Sequence, residues 1–398
     1  MLCVSASVTK PSRTLLLLLT LQIAACSTPP AAIVPPVPPE PPQPVEPPVA
    51  IPTPLPEPDR SVMRLNIAAV GDMMLGTDYP QNHLPDDDGI GFLADVAPII
   101  SNADIAFGNL EGVLVDGGEP GKKCSNPAAC YLFRSPTRYA AHYRDAGFDV
   151  LSLANNHARD FGEEGRSSSM DALSAHGIHH SGREGTAAII EKNGLSTVFL
   201  AYAVTKNSNM MLDYELAFET IAGYADDHDI VVVSFHGGAE GADVTHVPFA
   251  EEEYYDEPRG DIVWFARGAV DAGADLVIGH GPHVVRGIER YKERLIAYSL
   301  GNFATYYGIS VAGIKGIAPI LNVTLDGHGA FIRGAIVSTR QLRPAGPSID
   351  ERQRALNLIR GLSIDDFGNP GIRFEPDGLI NVIDRPAVPQ HQLVVAPD

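Results

Sequence analysis

Positive charge is scarce in this sequence of 398 residues. Its 29 Lys and Arg residues face 49 Asp and Glu residues, which gives a formal net charge of −20 at pH 7. A surface of this sign repels nucleic acid and anionic headgroups, so we expect no nucleic-acid partner. A protein of this charge that handles a polyanion needs a local basic site or metal site to overcome the repulsion.

Cysteine is equally scarce, with four residues in the whole chain. Cys3 and Cys26 lie near the N-terminus, whereas Cys124 and Cys130 lie in a loop rich in Gly, Pro and Asn. An even pair in such a loop of an exported protein predicts a local disulfide between Cys124 and Cys130. A contribution of two zinc ligands is the alternative, but the sequence holds no further cysteine pair to complete a zinc finger.

Long apolar runs are also missing, except for one near the N-terminus. The basic residues Lys10 and Arg13 precede an apolar run over 15–25, which is too short to span a bilayer comfortably. A basic segment followed by a short apolar run is typical of a secretory signal peptide, which we place at 1–25. We therefore expect the protein in the periplasm or the cell envelope.

The predicted signal peptide ends in small residues directly before a cysteine, as Ile23-Ala24-Ala25-Cys26. This ending resembles a bacterial lipobox, which implies that the Cys26 thiol is diacylated and anchors the chain to a membrane. Ser27, rather than Asp, follows the cysteine, and by the same resemblance to Gram-negative lipoproteins this favours the outer membrane. An ordinary signal peptide with an incidental cysteine is the alternative.

Proline is concentrated between 28 and 58, where Pro, Val, Ala and Glu make up most of the chain. Proline removes backbone donors and favours polyproline II, so this stretch cannot build a packed core. We interpret 26–60 as a semi-rigid tether between the lipid anchor and the body at 61–398. A PxxP ligand for a partner domain is the alternative.

The body alternates short apolar runs, polar loops and helical stretches, which predicts an α/β layered domain. Strands are predicted at 65–70, 104–107, 148–153, 230–234 and 274–278, and helices at 93–100, 136–146, 165–176, 262–272 and 350–362. Later strands at 284–290, 295–300, 317–325 and 330–338 are predicted to be joined by tight turns, and a last short strand is predicted at 378–383. We expect the first group to lie side by side and the later group to form a second, more antiparallel sheet packed on the first.

Polar residues able to bind metal follow each of the five early strands. They are Asp72, Asn109, Glu111, Asn156, His157, His236, His280 and His283. Ligands of open α/β sheets bind at the carboxyl ends of strands, so these side chains are expected to converge. Carboxylates and imidazoles together suit Mn, Fe or Zn. Each residue alone could serve a turn or a helix cap, but turn chemistry gives no reason for their recurrence after every strand.

Six short motifs, in order, resemble those of the poly-γ-glutamate capsule biosynthesis (CapA-type) family. They are the segments 69–76, 109–111, 153–157 with Asp160 and Gly162, 236–238 with Glu240, 279–284 and 296–303. The resemblance implies a calcineurin-like metallophosphoesterase fold, which is a four-layer α-β-β-α sandwich of two mixed sheets. It runs from about 65 to 303, and the set is far more specific than any one motif.

The resemblance also implies a role for each of these residues. Asp72 is the leading carboxylate and bridges two metals, Glu111 with Asn109 takes the place of the second acidic ligand, and His157 is the general acid. The remaining metal ligands are Asn156, His236, His280 and His283. Paired ions of this kind lower the pKa of a bridging water and clamp a phosphoryl oxygen, so Asp72 and His157 are the catalytic candidates.

One position departs from the superfamily pattern, because Met74 stands where the phosphoesterases carry a histidine ligand. A thioether is a poor ligand for hard divalent ions, so one metal or two remains open and so does catalysis. We expect an exported, lipid-anchored metal protein that acts in biosynthesis, export or anchoring of poly-γ-glutamate, with capsule synthetase subunits as partners. The alternative is a metal-dependent hydrolase of a phosphodiester or capsule-polymer linkage, unrelated to poly-γ-glutamate.

Overall fold

The computed structural model describes residues 59–123 and 130–383, together with Pro38. The predicted signal peptide, the Cys26 lipidation site, most of the tether and Cys124 lie outside the described residues, so these features remain predictions. The chain divides into the units Met1–Pro56 and Glu57–Asp398. Within the part that is described, none of the helices has the length and apolar character that crossing a membrane requires.

The elements of the second unit are numbered in chain order. The strands are β1 Arg64–Met74, β2 Ile105–Leu110, β3 Val113–Leu114, β4 Arg134–Ser135, β5 Val150–Ser152, β6 His179–Ser181, β7 Ala188–Lys192, β8 Leu195–Ala203, β9 Asn209–Met210, β10 Ile230–His236, β11 Glu252–Tyr254, β12 Glu257–Gly260, β13 Leu276–His280, β14 Ile288–Tyr291, β15 Arg294–Ala297, β16 Asn302–Thr305, β17 Ile317–Asp326, β18 Phe331–Gln341, β19 Pro347–Ile349, β20 Ile372–Phe374 and β21 Leu379–Val382. The α-helices are α1 Ala97–Ile100, α2 Ala140–Asp145, α3 Gly162–Ala175, α4 Tyr214–Asp227, α5 Ile262–Asp271 and α6 Arg354–Phe367, and short 3-10 helices cover Arg60–Val62, Thr137–Tyr139 and Gly313–Gly316.

Two large mixed sheets form the centre of the unit. The first has ten strands, in the order β20-β21-β18-β17-β1-β2-β5-β6, with β16 paired to β1 and β19 to β18. The second has seven, in the order β14-β15-β13-β10-β8-β7, with β9 paired to β8. Neighbours β1, β2, β5 and β6 run parallel, as do β8, β10, β13 and β15.

The buried side chains show that the two sheets pack face to face, with α1 to α5 outside them and α6 packed against the core between them. One core cluster combines Ile67 and Phe107 of the first sheet with Phe199 and Ile278 of the second, and the rings of Phe107 and Phe199 stack with centroids 5.6 Å apart. A second cluster joins the outer face of the first sheet to α1, α2 and α3, and a third joins the outer face of the second sheet to α4 and α5. The four-layer α-β-β-α sandwich is therefore confirmed.

The expected distribution of strands between the sheets is wrong. Strands β1, β2 and β5 lie in the first sheet, but β10 and β13 lie in the second, and the later strands are divided between both. Strands β17 and β18 extend the first sheet from β1, whereas β14 and β15 complete the second. An apolar run shows that a strand is buried, but it does not identify the strand or the sheet that it pairs with.

Four of the five early strands are predicted to end too soon. Strand β1 continues to Met74, β2 to Leu110, β10 to His236 and β13 to His280, so Asp72, Asn109, His236 and His280 lie within strands, whereas Glu111 and His283 follow them. The four side chains that lie within strands are buried. The predicted helix at 93–100 is reduced to α1, because a proline in its first turn lacks the amide donor that an earlier start would need.

Packing between the sheets should dominate the stability of the body. Replacing Phe199 with alanine should lower the free energy of unfolding by about 3–5 kcal/mol, since it removes a ring buried between the sheets. Ile189→Ala on β7 is the matched control, because that side chain is 44% exposed, and its change should stay within about 0.5 kcal/mol. Urea unfolding measures both, and equal losses would contradict the packing described here.

Candidate metal centre

The polar residues that the sequence singles out meet where the parallel strands of the two sheets end. In the first sheet Asp72 on β1 is in register with Asn109 on β2 and with Asn302 on β16. In the second sheet His236 on β10 is in register with His280 on β13. Asp72, Glu111 and His236, all buried, offer ligand atoms that lie within 4.8 Å of one another.

Asp72 is held at the centre of this cluster by both its backbone and its carboxylate. A β-bulge separates Asp72 from Met73, and the Asp72 amide donates to the Gly301 carbonyl at 2.9 Å. Gly71 permits this approach, because a Cβ there would stand 1.9 Å from the same carbonyl oxygen. The carboxylate Oδ2 lies 3.1 Å from Nδ1 of His283, and Oδ1 lies 3.3 Å from Nδ1 of His280.

Asn109 bridges the two buried carboxylates with its amide nitrogen. Its Nδ2 donates to Asp72 Oδ1 and to Glu111 Oε2, each at 2.9 Å. Its Oδ1 accepts from Asn155 Nδ2 at 3.0 Å, and Asn155 is itself oriented because its Oδ1 accepts from the backbone amide of His157. Asn109 therefore turns a donor toward the carboxylates and acts here as a positioning residue, and direct ligation by Asn109 remains a prediction.

The histidines fall into two groups by their partners. His236 and His280 are buried, and within the described residues neither ring nitrogen of either side chain makes a hydrogen bond. His236 Nε2 lies 3.3 Å from Glu111 Oε2 without hydrogen-bond geometry. His283 is oriented more firmly, since its Nδ1 also approaches Asn302 Oδ1 at 2.9 Å.

The buried atoms without partners fit a divalent metal. They include the ring nitrogens of His236 and His280, Glu111 Oε1 and Asn156 Oδ1, none of which has a hydrogen bond within the described residues. Burying polar atoms without partners is costly, so native structures rarely contain several together. Carboxylate oxygens and imidazole nitrogens are donors for Mn, Fe or Zn, and an ion bound among them would be held by a carboxylate oxygen and one nitrogen of an imidazole.

His157 stands beside the cluster and is oriented by a separate buried carboxylate. Its Nδ1 approaches Asp160 Oδ2 at 2.8 Å, and the same oxygen accepts from the Phe133 amide. Lys122 Nζ lies 3.4 Å from the other Asp160 oxygen, and the Phe133 ring lies 4.3 Å from the imidazole. Since a carboxylate only accepts, Nδ1 of His157 carries a proton and Nε2 is left to exchange one with a ligand.

Asn156 lies in polar surroundings, whereas Met74 lies in an apolar cluster. The Asn156 carbonyl accepts from Lys122 Nζ at 3.1 Å, while its side-chain Oδ1 has no partner in the described part of the chain. Met74 is buried in a small apolar cluster with Phe133 and Ile309. Where the phosphoesterases carry a histidine ligand, this chain therefore has a core residue.

Comparison with known proteins now identifies the family. The family model described as "Bacterial capsule synthesis protein PGA_cap" matches residues 66–307, which is more than half of the chain. The chain belongs to this family. The match confirms the resemblance that the six motifs carry.

Relatives in this capsule synthesis family include proteins from two Bacillus species. "Capsule biosynthesis protein CapA" of Bacillus anthracis is 28% identical over 279 residues, which cover 62% of this chain and 61% of the relative. "PGA biosynthesis protein CapA" of Bacillus subtilis (strain 168) is 28% identical over 256 residues, covering 60% and 63%. The chain thus matches about three fifths of the length of each.

A solved structure also shows a distant likeness. The purple acid phosphatase PPD1 of yellow lupin seeds is 10% identical, with a TM-score of 0.35 over 77% of this chain and 57% of that one. A likeness at this level does not bear on function.

The electrostatics of the centre in this family member follow from two carboxylates buried together. Burial opposes ionisation of Asp72, but the hydrogen bond from His283 and the close approach of the His280 imidazole hold its pKa well below the ordinary value of 3.8. Burial and the Asp72 charge raise the pKa of Glu111 to about 7. Burial and the charge of Arg259 lower the pKa of His236 to about 3, so this imidazole is neutral and available to a metal.

His283 carries the compensating positive charge. Burial disfavours its charged form, but Asp72, Glu111 and Glu240 together raise its pKa to about 10. Without a metal, the centre therefore consists of an ionised Asp72 paired with a protonated His283, beside a Glu111 that is protonated below about pH 7. A bound cation would replace the His283 proton as the balancing charge.

Several residues of the centre were not assigned a role from the sequence. Asn155, Asp160, Glu240 and Asn302 lie inside the recognised motifs, so their positions were visible although their contacts were not. Arg259 lies outside the motifs, yet it is buried, its Nη1 lies 3.0 Å from Glu240 Oε1, and its Nε donates to the Gly238 carbonyl. Nothing in the sequence around Arg259 signals this role.

Cys130 is disulfide-bonded. Its predicted partner Cys124 lies outside the described residues, so the pairing remains a prediction.

The carboxylates of Asp72 and Glu111 should have opposite effects on the stability of the metal-free protein. Because the folded pKa of Glu111 lies above its ordinary value of 4.5, ionised Glu111 disfavours folding, and this cost grows as the pH rises to about 7 and is complete above it. Glu111→Gln should therefore be more stable than the parent near about pH 8 and nearly equal near about pH 5.

Asp72→Asn is the comparison variant. The depressed pKa of Asp72 means that its carboxylate stabilises the folded state above the ordinary pKa, and this stability is lost only as the pH falls through the folded value. This variant should be less stable than the parent at both pH values in urea unfolding with EDTA. Destabilisation by Glu111→Gln at the higher pH would contradict the charge arrangement described above.

Proposed function

We propose that this chain is an exported, lipid-anchored metal protein that acts on or holds the anionic polymer of poly-γ-glutamate capsule biosynthesis at the cell envelope. The observation that carries the proposal is the buried cluster of Asp72, Glu111 and His236, whose neighbours leave several ligand atoms without partners. Membership of the capsule synthesis family supports the pathway. The net charge of −20 makes a local cation necessary for any anionic polymer to approach.

The residues of the centre divide into ligands and positioning groups. Asp72, Glu111 and His236 would hold one ion, and His280, His283 and Asn156 are the further ligands proposed for that ion or a second. The metal would act as a Lewis acid toward a carboxylate or phosphoryl oxygen. Asn109 keeps the two carboxylates at a fixed separation, and Asn302 sets the orientation of His283.

The N-terminal segments supply the proposed location. Diacylation at Cys26 after removal of 1–25 would anchor the protein, and the Pro-rich segment 26–60 would give the body reach from the membrane. We place the body in the periplasm, and Ser27 favours the outer membrane as the membrane that holds the anchor. Capsule synthetase subunits are the proposed protein partners, because polymer must be handed from synthesis to export or anchoring.

A metal-dependent hydrolase is the second candidate, and one observation favours it. The His157–Asp160 pair is arranged as a proton donor beside the metal centre, a contact that simple polymer binding does not need. In such a reaction His157 would give a proton from Nε2 to a leaving oxygen while Asp160 stabilises the imidazolium. Burial of Met74 in an apolar cluster counts against it, since a superfamily ligand is missing.

Metal content tests the proposal. The full chain, purified in detergent, dialysed against Mn²⁺ and then against metal-free buffer, should retain a stoichiometric amount of metal. His236→Ala and His280→Ala should each lose most of it, because each removes a buried ligand nitrogen. His328→Ala, in an exposed turn, is the control and should bind like the parent. Full metal content in both ligand variants would reject the site.

Turnover separates the two candidates. With bis-p-nitrophenyl phosphate and Mn²⁺, a hydrolase should lose about 10²–10⁴-fold in rate on His157→Ala while it keeps its metal. Asp72→Ala should lose both metal and rate. Stoichiometric metal with no turnover in the parent would reject the phosphodiesterase candidate and leave polymer binding.

A further inference from the structure

A small basic cavity lies directly beside the metal centre. Its volume is about 180 Å³, and its walls include Asn155, Asn156, Arg159, Arg166 and Lys206. Asn155 belongs to both places, since its side chain also donates to Asn109 Oδ1 at 3.0 Å. A group bound in this cavity would therefore be connected to the carboxylates of the metal centre through the side chains of Asn155 and Asn109.

The positive charge around this cavity exceeds the negative charge that it contacts. Three guanidinium groups share the single carboxylate of Glu163: Arg166 Nη2 lies 2.5 Å, Arg183 Nη2 3.0 Å and Arg159 Nε 3.3 Å from its oxygens. The Lys206 side chain is exposed and makes no ion pair or hydrogen bond with the described residues. In a chain with a net charge of −20, such a concentration of positive charge beside the metal centre needs an explanation.

The basic residues differ in how many N–H donors they have free for a ligand. Arg166 is buried, and besides its contact with Glu163 it donates to the Asn207 carbonyl at 2.6 Å. These contacts hold its guanidinium in place as part of the cavity wall. Arg159 is less satisfied: its Nε is buried beside Glu163 without a hydrogen bond, and the Asn207 side-chain oxygen accepts one N–H from each of Nη1 and Nη2, which leaves one N–H on each. Arg159 and Lys206 are therefore the residues with donors available for an incoming anion.

We propose that the cavity is a second anion subsite that binds a carboxylate of a polycarboxylate chain whose neighbouring carboxylate lies at the metal centre. This inference rests on the proposed function. Arg159 would bind the carboxylate through its guanidinium, and Lys206 would add a mobile positive charge at the rim.

Two adjacent anion sites favour a polymer over a small ester. A phosphomonoester offers one anionic group and can occupy only one of the sites, whereas a chain of γ-linked glutamates presents a carboxylate on every unit. Sites for drug-sized ligands typically have volumes of about 300–1,000 Å³. The volume of this cavity is smaller, so it suits one group of a longer ligand. When one polymer molecule occupies the first site, the effective concentration of its neighbouring carboxylate at the second site rises, and this strengthens binding.

Binding of a fluorescently labelled γ-linked glutamate oligomer to the full chain in detergent tests this inference. Fluorescence anisotropy with Mn²⁺ gives the affinity of the parent, of Lys206→Gln and of Arg159→Gln. Each variant should bind several-fold more weakly, and the double variant at least about tenfold more weakly, since each loses a charge-assisted contact. Arg159→Lys should recover part of the loss because it retains the charge.

Lys292→Gln is the matched control, because it removes the same charge at an exposed ion pair with Asp271 far along the chain. Its affinity should equal that of the parent. Lys206 has no partner to lose, so its substitution does not threaten folding.

Metal content of every variant is measured in parallel, so failure of the metal centre is recognised separately from failure of the cavity. Equal affinity of the double variant and the parent, with metal retained, would overturn the subsite. Displacement of the oligomer by inorganic phosphate at lower concentration than by unlabelled oligomer would overturn the polycarboxylate assignment. Loss of binding confined to the cavity variants, with oligomer the stronger competitor, supports it.

Discussion

The body of this protein is organised around two carboxylates buried against each other. Asp72 and Glu111 are both inaccessible to solvent, and one amide group, that of Asn109, donates to both. Burial of like charges is unfavourable, so the surrounding chain must supply either protons or cations. The neighbouring imidazole of His283 does this in the metal-free protein, and a divalent ion would do it better. This requirement explains why a histidine or an amide stands at the end of each neighbouring strand.

The sandwich brings these groups together because each sheet supplies part of the set. Asp72 and Asn109 come from neighbouring strands of the first sheet, whereas His236 and His280 come from neighbouring strands of the second. The aromatic and aliphatic core between the sheets therefore sets the distance between the carboxylates and the histidines.

The strand-end residues were predictable from the sequence, because apolar runs followed by Asp, Asn or His recur along it, and the four-layer architecture was implied by the family resemblance that their motifs carry. The division of strands between sheets was not, since the burial of β10 or β17 does not reveal its partner. Strand β8 and helix α4 were missed because neither carries a polar residue of the centre. The orientation of Asn109 was also hidden, because it depends on Asn155 and on the backbone amide of His157. Hydrogen-bond direction in a buried network depends on contacts between residues that are distant in sequence.

The central claim is that the carboxylate and histidine cluster is a metal site. Crystals of the Mn²⁺-loaded protein, measured at the manganese absorption edge, test this claim most directly. We expect an anomalous peak in contact with the side chains of Asp72, Glu111 and His236, with His283 turned from ion pair to ligand. Absence of a peak there, with Asp72 still paired directly to His283, would contradict the account.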